Sequence, residues 1–243
     1  MINDVAADSL TYMAVGEGAI LLRFNSRLSS DFADNSRQCQ HLARCLLKNE
    51  HRPKWLIDVV PSYDTVMVHF DGFDADQHDV FRWVRSNISP PDSNADHKTL
   101  TLPVCYDLDR ENDIPRISAH TGLSRDAVVS AHLSGQYHVY AIGFAPGFAY
   151  MGFVDECLAT PRLSKPRTHV PQGAVAIADR QTAIYPSASP GGWNIIGYCP
   201  ITLVDVQRAS PSPFEVGQSV KFSRIDTSEF EQLSGKSWYD IDG

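Results

Sequence analysis

Residues Val139–Val206 read VYAIGFAPGFAYMGFVDECLATPRLSKPRTHVPQGAVAIADRQTAIYPSASPGGWNIIGYCPITLVDV, and this stretch decides the fold. Short apolar segments alternate with turns that carry Gly or Pro. Gly supplies positive φ and Pro presets the first turn position, so the punctuation predicts short strands joined by tight turns. A long helix does not fit, because Pro146, Pro161, Pro166, Pro171, Pro186, Pro190 and Pro200 would each interrupt it. The expectation here is an all-β barrel with short helices.

Just upstream, KTLTLPVCY predicts a strand. IPRISAHTGLSRDAVVSAHLSG predicts two helical pieces, the first capped by Gly122 and the second opening at Ser124. SPPDSNAD, from Ser89 to Asp96, has two prolines and no apolar period, which predicts an interdomain linker. Further back, YMAVGEGAILLRF predicts two strands about a Gly16/Gly18 turn. Phe32, Cys39, Leu42, Ala43, Leu46 and Leu47 fall near helical spacing, behind a cap at Ser29, Ser30 or Asp31. WLIDVVPSYDTVMVHFD predicts two strands divided by a turn at Pro61, and Val80, Phe81, Val84 and Ile88 mark a second helix from about Asp76 to Asn87. The resulting division is an α+β N-terminal domain over residues 1–90, a linker over 91–97, a barrel domain over 98–225 and a tail over 226–243 with a short helix near Ser228–Leu233.

The 243 residues carry a formal net charge of −8, with 10 basic and 14 acidic residues in the first hundred and 11 basic and 15 acidic in the rest. Neither half offers the basic face that nucleic acid binding requires. Five cysteines, Cys39, Cys45, Cys105, Cys157 and Cys199, form no CxxC pair and fit a reduced compartment. MINDVAADSLTYMAV lacks the basic start of a signal peptide, and no apolar run reaches the roughly 18 residues of a membrane helix. A cytoplasmic protein without membrane contact is the expectation.

No phosphate loop, GxGxxG, HExxH, GxSxG or paired CxxC is present, so any nucleotide chemistry would fall to a partner. The acidic run Asp71–Asp79 lacks EF-hand order and reads as a helix start capped by Asp74 or Asp76. His132 and His138 lack zinc-ligand spacing, and no metal site is expected. Between residues 158 and 180 gather Arg162, Lys165, Arg167 and Arg180, with His169 among them and only Asp179 opposing. Such a patch can hold a carboxylate or phosphate through arginine forks, or it is a solvated loop. GFAPGF and SPGGW place Phe144, Pro146, Gly147, Gly191, Gly192 and Trp193 where bare backbone and an aromatic could line a small-molecule pocket, or simply make turns. Gln181 and Tyr185 would share one side of a strand and face a pocket or solvent.

GFAPGFAYMG, LATPR, KPRTHVPQGAVAIADRQTAIYP and SPGGWNIIG, in this order, resemble the family of the 5-oxoprolinase B subunit, also called allophanate hydrolase subunit 1 or Kip-inhibitor-like. VGEGAILLRF and VPSYDTVMVHFD extend the resemblance from about Tyr12 to Phe222. The resemblance implies an N-terminal α/β domain followed by a cyclophilin-like barrel. It also implies partnership with homologues of the 5-oxoprolinase C and A subunits in opening 5-oxoproline to glutamate with ATP. In that setting ATP is bound by a partner, and this chain carries no cofactor. Relatives in urea carboxylase form a carboxyltransferase unit, and another inhibits a sensor histidine kinase, so the fold does not select one activity. The expected roles are a carboxylate or oxyanion held by Arg162, Arg167 and Lys165, a proton carried by His169, and a pocket shaped by Gly191, Gly192 and Trp193. PVCYDLDRENDIPRI departs from the family at the loop after Tyr106, where a Gly-Gly pair and a Gly-Pro-Asp stretch are usual.

Overall fold

The computed structural model describes residues 10–24, 32–89 and 99–241, with side chains from residue 35 onward in the second segment. The expected linker at 91–97 and the expected helix cap at Ser29, Ser30 or Asp31 lie outside the described residues. Contacts divide the chain into a unit over residues 1–96 and a second over 97–243.

The first unit is a four-stranded antiparallel sheet ordered β1-β2-β4-β3, with β1 Leu10–Ala14, β2 Ala19–Phe24, β3 Leu56–Ser62 and β4 Thr65–Phe70. Helices α1 (Phe32–Leu47) and α2 (Gln77–Ser86) pack on one face. Their Cys39, Leu42, Ala43, Leu46, Val80 and Val84 meet Ile20, Leu22, Val66, Val68 and Phe70 of the strands. Leu47, at the last helical position, is exposed instead. Asp76 caps α2 by accepting from the backbone N–H groups of His78 and Asp79, and the Asp79 N–H contact in particular holds its carboxyl below the usual range. Pro61 does not make the hairpin turn. It lies within β3, opposite Val66, while the chain reverses at Tyr63, whose φ is 37°. A proline is tolerated there because β3 is an edge strand, whose outer N–H groups need no partner.

The second unit is built on a seven-stranded sheet ordered β12-β9-β10-β7-β6-β13-β5. Its strands are β5 Leu100–Val104, β6 Tyr137–Ile142, β7 Ala149–Gly152, β9 Ala174–Ala178, β10 Gln181–Ile184, β12 Asn194–Tyr198 and β13 Ser219–Arg224. The ends of the sheet meet at Cys105 and Tyr198, which exchange two backbone hydrogen bonds of 2.9 Å, so the sheet curls into a nearly closed barrel. The interior takes apolar residues from all seven strands, among them Leu102, Val139, Met151, Val175, Ile184, Ile196 and Phe222. Ile114 and Ile117 of α3 (Ile114–Thr121) and Val128 and Val129 of α4 (Arg125–Ser134) complete it. Gly122 ends α3 at φ 77° and the Ser124 side chain caps α4, as their types predict.

His132 of α4 is wholly buried in this core. Its Nδ1 accepts from the Tyr106 hydroxyl at 2.8 Å. Because the Thr182 hydroxyl donates to the Ala176 carbonyl, His132 Nε2 donates to Thr182 Oγ1 at 3.0 Å. Burial pushes its pKa down to about 3, so the ring is neutral.

β9 separates two packing layers. Val175 and Ile177 point into the barrel, while Ala174, Ala176 and Ala178 join an outer cluster with Phe148, Val170, Tyr185, Trp193, Ile195 and Tyr198. A two-stranded ribbon of β8 (Arg167–Val170) and β11 (Ser189–Gly191) contributes to that layer. The tail segment contributes as well: α5 (Thr227–Leu233), held by an Asp226/Glu229 capping box, places Phe230 in the same cluster.

Candidate functional site

The two chemistry-bearing motifs come together over the outer layer. The Leu163 N–H donates to the Gly192 carbonyl at 2.7 Å, and Asn194 Nδ2 donates to the Pro161 carbonyl at 3.1 Å. These bonds fasten the PRLSKP segment to the SPGGW turn and set the Arg162 guanidinium over the Trp193 ring, 5.6 Å from its centre. Arg162 is exposed, so the stacked cation faces solvent. Below it Phe148 meets Trp193, Tyr185, Tyr150 and Phe144 edge to face, at centroid distances of 5.7, 5.3, 4.9 and 5.2 Å. This arrangement is a rigid aromatic shelf that carries an accessible guanidinium.

The candidate residues divide by position. Tyr185 faces neither an open pocket nor solvent: it is 2% exposed and packed edge to face against Phe148. Burial raises its pKa, keeping the hydroxyl protonated. Gly191 is required there, since a Cβ would stand 2.3 Å from the Tyr185 hydroxyl oxygen, whereas Gly192 has room for one. Gly147 is buried at φ 75° and a Cβ would meet Val204 at 2.2 Å, so it makes a turn. Phe144 and Pro146 point outward from the same turn. Lys165 and His169 are exposed beside the shelf, His169 on β8. Gln181 and Arg180 are not brought to the shelf. Gln181 opens β10, about 13 Å from Tyr185 at the rise of a strand, and Arg180 precedes it in the β9–β10 turn. Arg180 there pairs with Glu156 at 2.9 Å and lies over Phe153.

Arg167 departs furthest from expectation. Its side chain is only 15% exposed, with Nε donating to Glu111 at 2.8 Å and one terminal nitrogen to Asp113 at 2.7 Å. Burial pulls the guanidinium pKa down, and the bonds to Asp113 and Glu111 outweigh that pull and hold it above the ordinary value. The remaining terminal nitrogen is buried without a partner. In contrast to the exposed Arg162, the Arg167 guanidinium is thus enclosed by carboxylates.

Its partners come from the loop after Tyr106. Asp113 bonds the Ile195 backbone twice, its N–H donating to the Ile195 carbonyl at 2.6 Å and its side-chain Oδ2 accepting from the Ile195 N–H at 2.7 Å. The Tyr198 hydroxyl donates to the Glu111 carbonyl at 2.7 Å, and Arg110 lies between the Tyr198 and Phe230 rings. Sequence reasoning did not single out Glu111, Asp113, Phe148 or Tyr150. The readable signal was the alternation of acids at Asp107, Asp109, Glu111 and Asp113 in the same domain as the cationic run. Among the described residues no group of three or more His, Cys, Asp or Glu side chains could hold a metal ion. No described helix is long and apolar enough to cross a membrane.

The chain thus comprises a nearly closed barrel that carries this shelf and a separate α+β unit, and its sequence places it in the carboxyltransferase-domain class. The family described as carboxyltransferase domain, subdomain C and D, matches residues 10–214, and the chain belongs to it. Over most of its length it is similar to the 5-oxoprolinase B subunit of Bacillus subtilis, 28% identical over 240 residues that cover 92% of this chain and 96% of the relative. The 5-oxoprolinase B subunit of Escherichia coli O157:H7 is 41% identical over 140 residues, or 58% of this chain and 62% of that one. Among solved structures, TTHA0988 matches with a TM-score of 0.73 and 33% identity, over 86% of this chain but 40% of that one. Kluyveromyces lactis urea carboxylase matches 93% of this chain and 23% of its own, with a TM-score of 0.72. At 17% identity the latter is a likeness of fold alone.

Proposed function

We propose that this chain is the B subunit of an ATP-dependent 5-oxoprolinase, a cytoplasmic assembly in which homologues of the A and C subunits complete the enzyme and a partner binds the ATP. The observation that carries this reading is the similarity to a protein of that name, across 96% of its length. The site chemistry supports it. A lactam amide is stabilised by resonance, and opening it requires charge to be stabilised on its oxygen as the carbonyl is attacked. Arg162 offers a fork for the substrate carboxylate or the developing oxyanion, with the Trp193 face beside it for the small ring. Arg167, Glu111 and Asp113 are joined by ion pairs next to the shelf, and in this reading His169, exposed on β8, carries the proton.

Coexpression with the A and C homologues, followed by measurement of ATP-dependent glutamate release from 5-oxoproline, tests the proposal. Release by the complete set is expected. No release, together with release when another B homologue is substituted, overturns it. The match to the carboxyltransferase-domain family favours one alternative, a carboxyltransferase component, which requires a biotin carrier among the proteins that copurify.

A further inference from the structure

Residues 161–166 belong to neither strand nor helix, yet Arg162 within them stands over Trp193. A segment with no ladder of its own keeps its shape only through bonds from its neighbours. On one side of Arg162 the Leu163 N–H is tied to the Gly192 carbonyl at 2.7 Å. On the other side the Pro161 carbonyl accepts twice, from Asn194 Nδ2 and from a terminal nitrogen of Arg116, each at 3.1 Å.

Arg116 reaches this carbonyl from α3, 45 positions upstream, and is half-buried. The same terminal nitrogen donates to Asn194 Oδ1. Asn194 is wholly buried at the first position of β12, and its Nδ2 donates to the Ile177 carbonyl at 3.0 Å as well as to Pro161. Both amide hydrogens thus go to carbonyls, which leaves Oδ1 in need of a donor, and Arg116 supplies it. Without Arg116 a buried acceptor loses this donor, and the backbone just ahead of Arg162 loses its charge-assisted bond.

We infer that Arg116 is the positioning residue of the candidate site: through the Pro161 carbonyl and the Asn194 amide it fixes the backbone that carries Arg162, and so sets where that cation meets a substrate carboxylate or oxyanion. The placement of Arg162 stands on the geometry alone, whereas its consequence for turnover rests on the functional reading above. The donating nitrogen of Arg116 is committed to these two acceptors, so its effect on a substrate passes through Arg162.

Two measurements test this. In the free full-length chain, trypsin cleavage after Arg162 should be about tenfold faster in Arg116→Met than in wild type, the scale of one charge-assisted hydrogen bond lost from a local opening equilibrium. Cleavage after Arg208, in the exposed 205–213 loop, should not change, and Arg116→Lys, which keeps a charged donor, should stay close to wild type. An unchanged rate after Arg162 overturns the inference, and so does an equal acceleration at both sites, which would reduce Arg116 to general stability. In the assembled enzyme, Arg116→Met should lower kcat/KM by about tenfold in the wild-type background and by nothing further in the Arg162→Ala background. Losses that multiply would mean that Arg116 acts independently of Arg162, against the inference. An assembly that releases no glutamate even with the wild-type chain removes the functional reading, while the trypsin comparison still decides the placement.

Discussion

Asp113 and Arg162 show how two polar residues of one site divide support from contact. Asp113 is nearly buried, pairs with Arg167 and accepts from the Ile195 N–H, so removing its carboxylate strands a guanidinium and a backbone donor at once. Asp113→Ala should therefore lower stability by about 3–5 kcal/mol, read as a shift of the urea midpoint. Glu111→Ala, at a side chain 62% exposed, should cost less than about 1 kcal/mol. Equal losses would mean that the pair is not buried in solution. Arg162 is exposed and stacks on the Trp193 face. In the assembled enzyme Arg162→Ala should keep the fold and the complex but lose about 10- to 100-fold in kcat/KM, the worth of a charge-assisted contact. If turnover survives, the cation is a solvated loop residue.

At the scale of elements, β9 shows why the barrel tolerates so little change. Its alternation of Ala with Val and Ile leaves small side chains facing Tyr185, Trp193 and Tyr198, and all five of its residues are buried. Ala176→Leu adds volume where no space remains and should cost about 1–3 kcal/mol by overpacking, whereas a neutral result in thermal melts would show that the outer layer yields. This part of the fold was legible because Gly, Pro and apolar runs act locally: AVAIADRQTAIYP is a hairpin in the sequence and in the structure. Gly122, Ser124 and Asp76 were legible for the same reason, each acting on backbone within a few residues. Pro61 was misread because its tolerance depends on β3 being an edge strand, a fact of sheet order. The site was legible only as a collection of residue types. Arg167 reads as a free cation until its partners, 54 and 56 positions away, are folded against it, and Gln181 reads as a neighbour of Tyr185 until strand length separates them.

For the whole molecule, each unit has its own core, and the barrel core holds a titratable group. His132 is neutral when folded, with a pKa of about 3 against an ordinary value of 6.5. A lowered folded pKa means that the unfolded chain takes up the proton first. The associated stability is complete above pH 6.5 and is lost as pH falls toward 3, by about 2–3 kcal/mol at pH 4.5. Urea unfolding of the barrel unit between about pH 7.5 and 4.5 should show this fall, and His132→Gln should flatten it. A wild-type profile that is already flat would place the imidazole in contact with water. In the first unit, Pro61 has an effect that extends beyond its own strand. A proline has no N–H, so the outer edge of β3 offers an incoming strand a row of donors with one missing. The N-terminal sheet is thereby a poor template for pairing with another copy, and the chain carries its own brake on edge-to-edge aggregation.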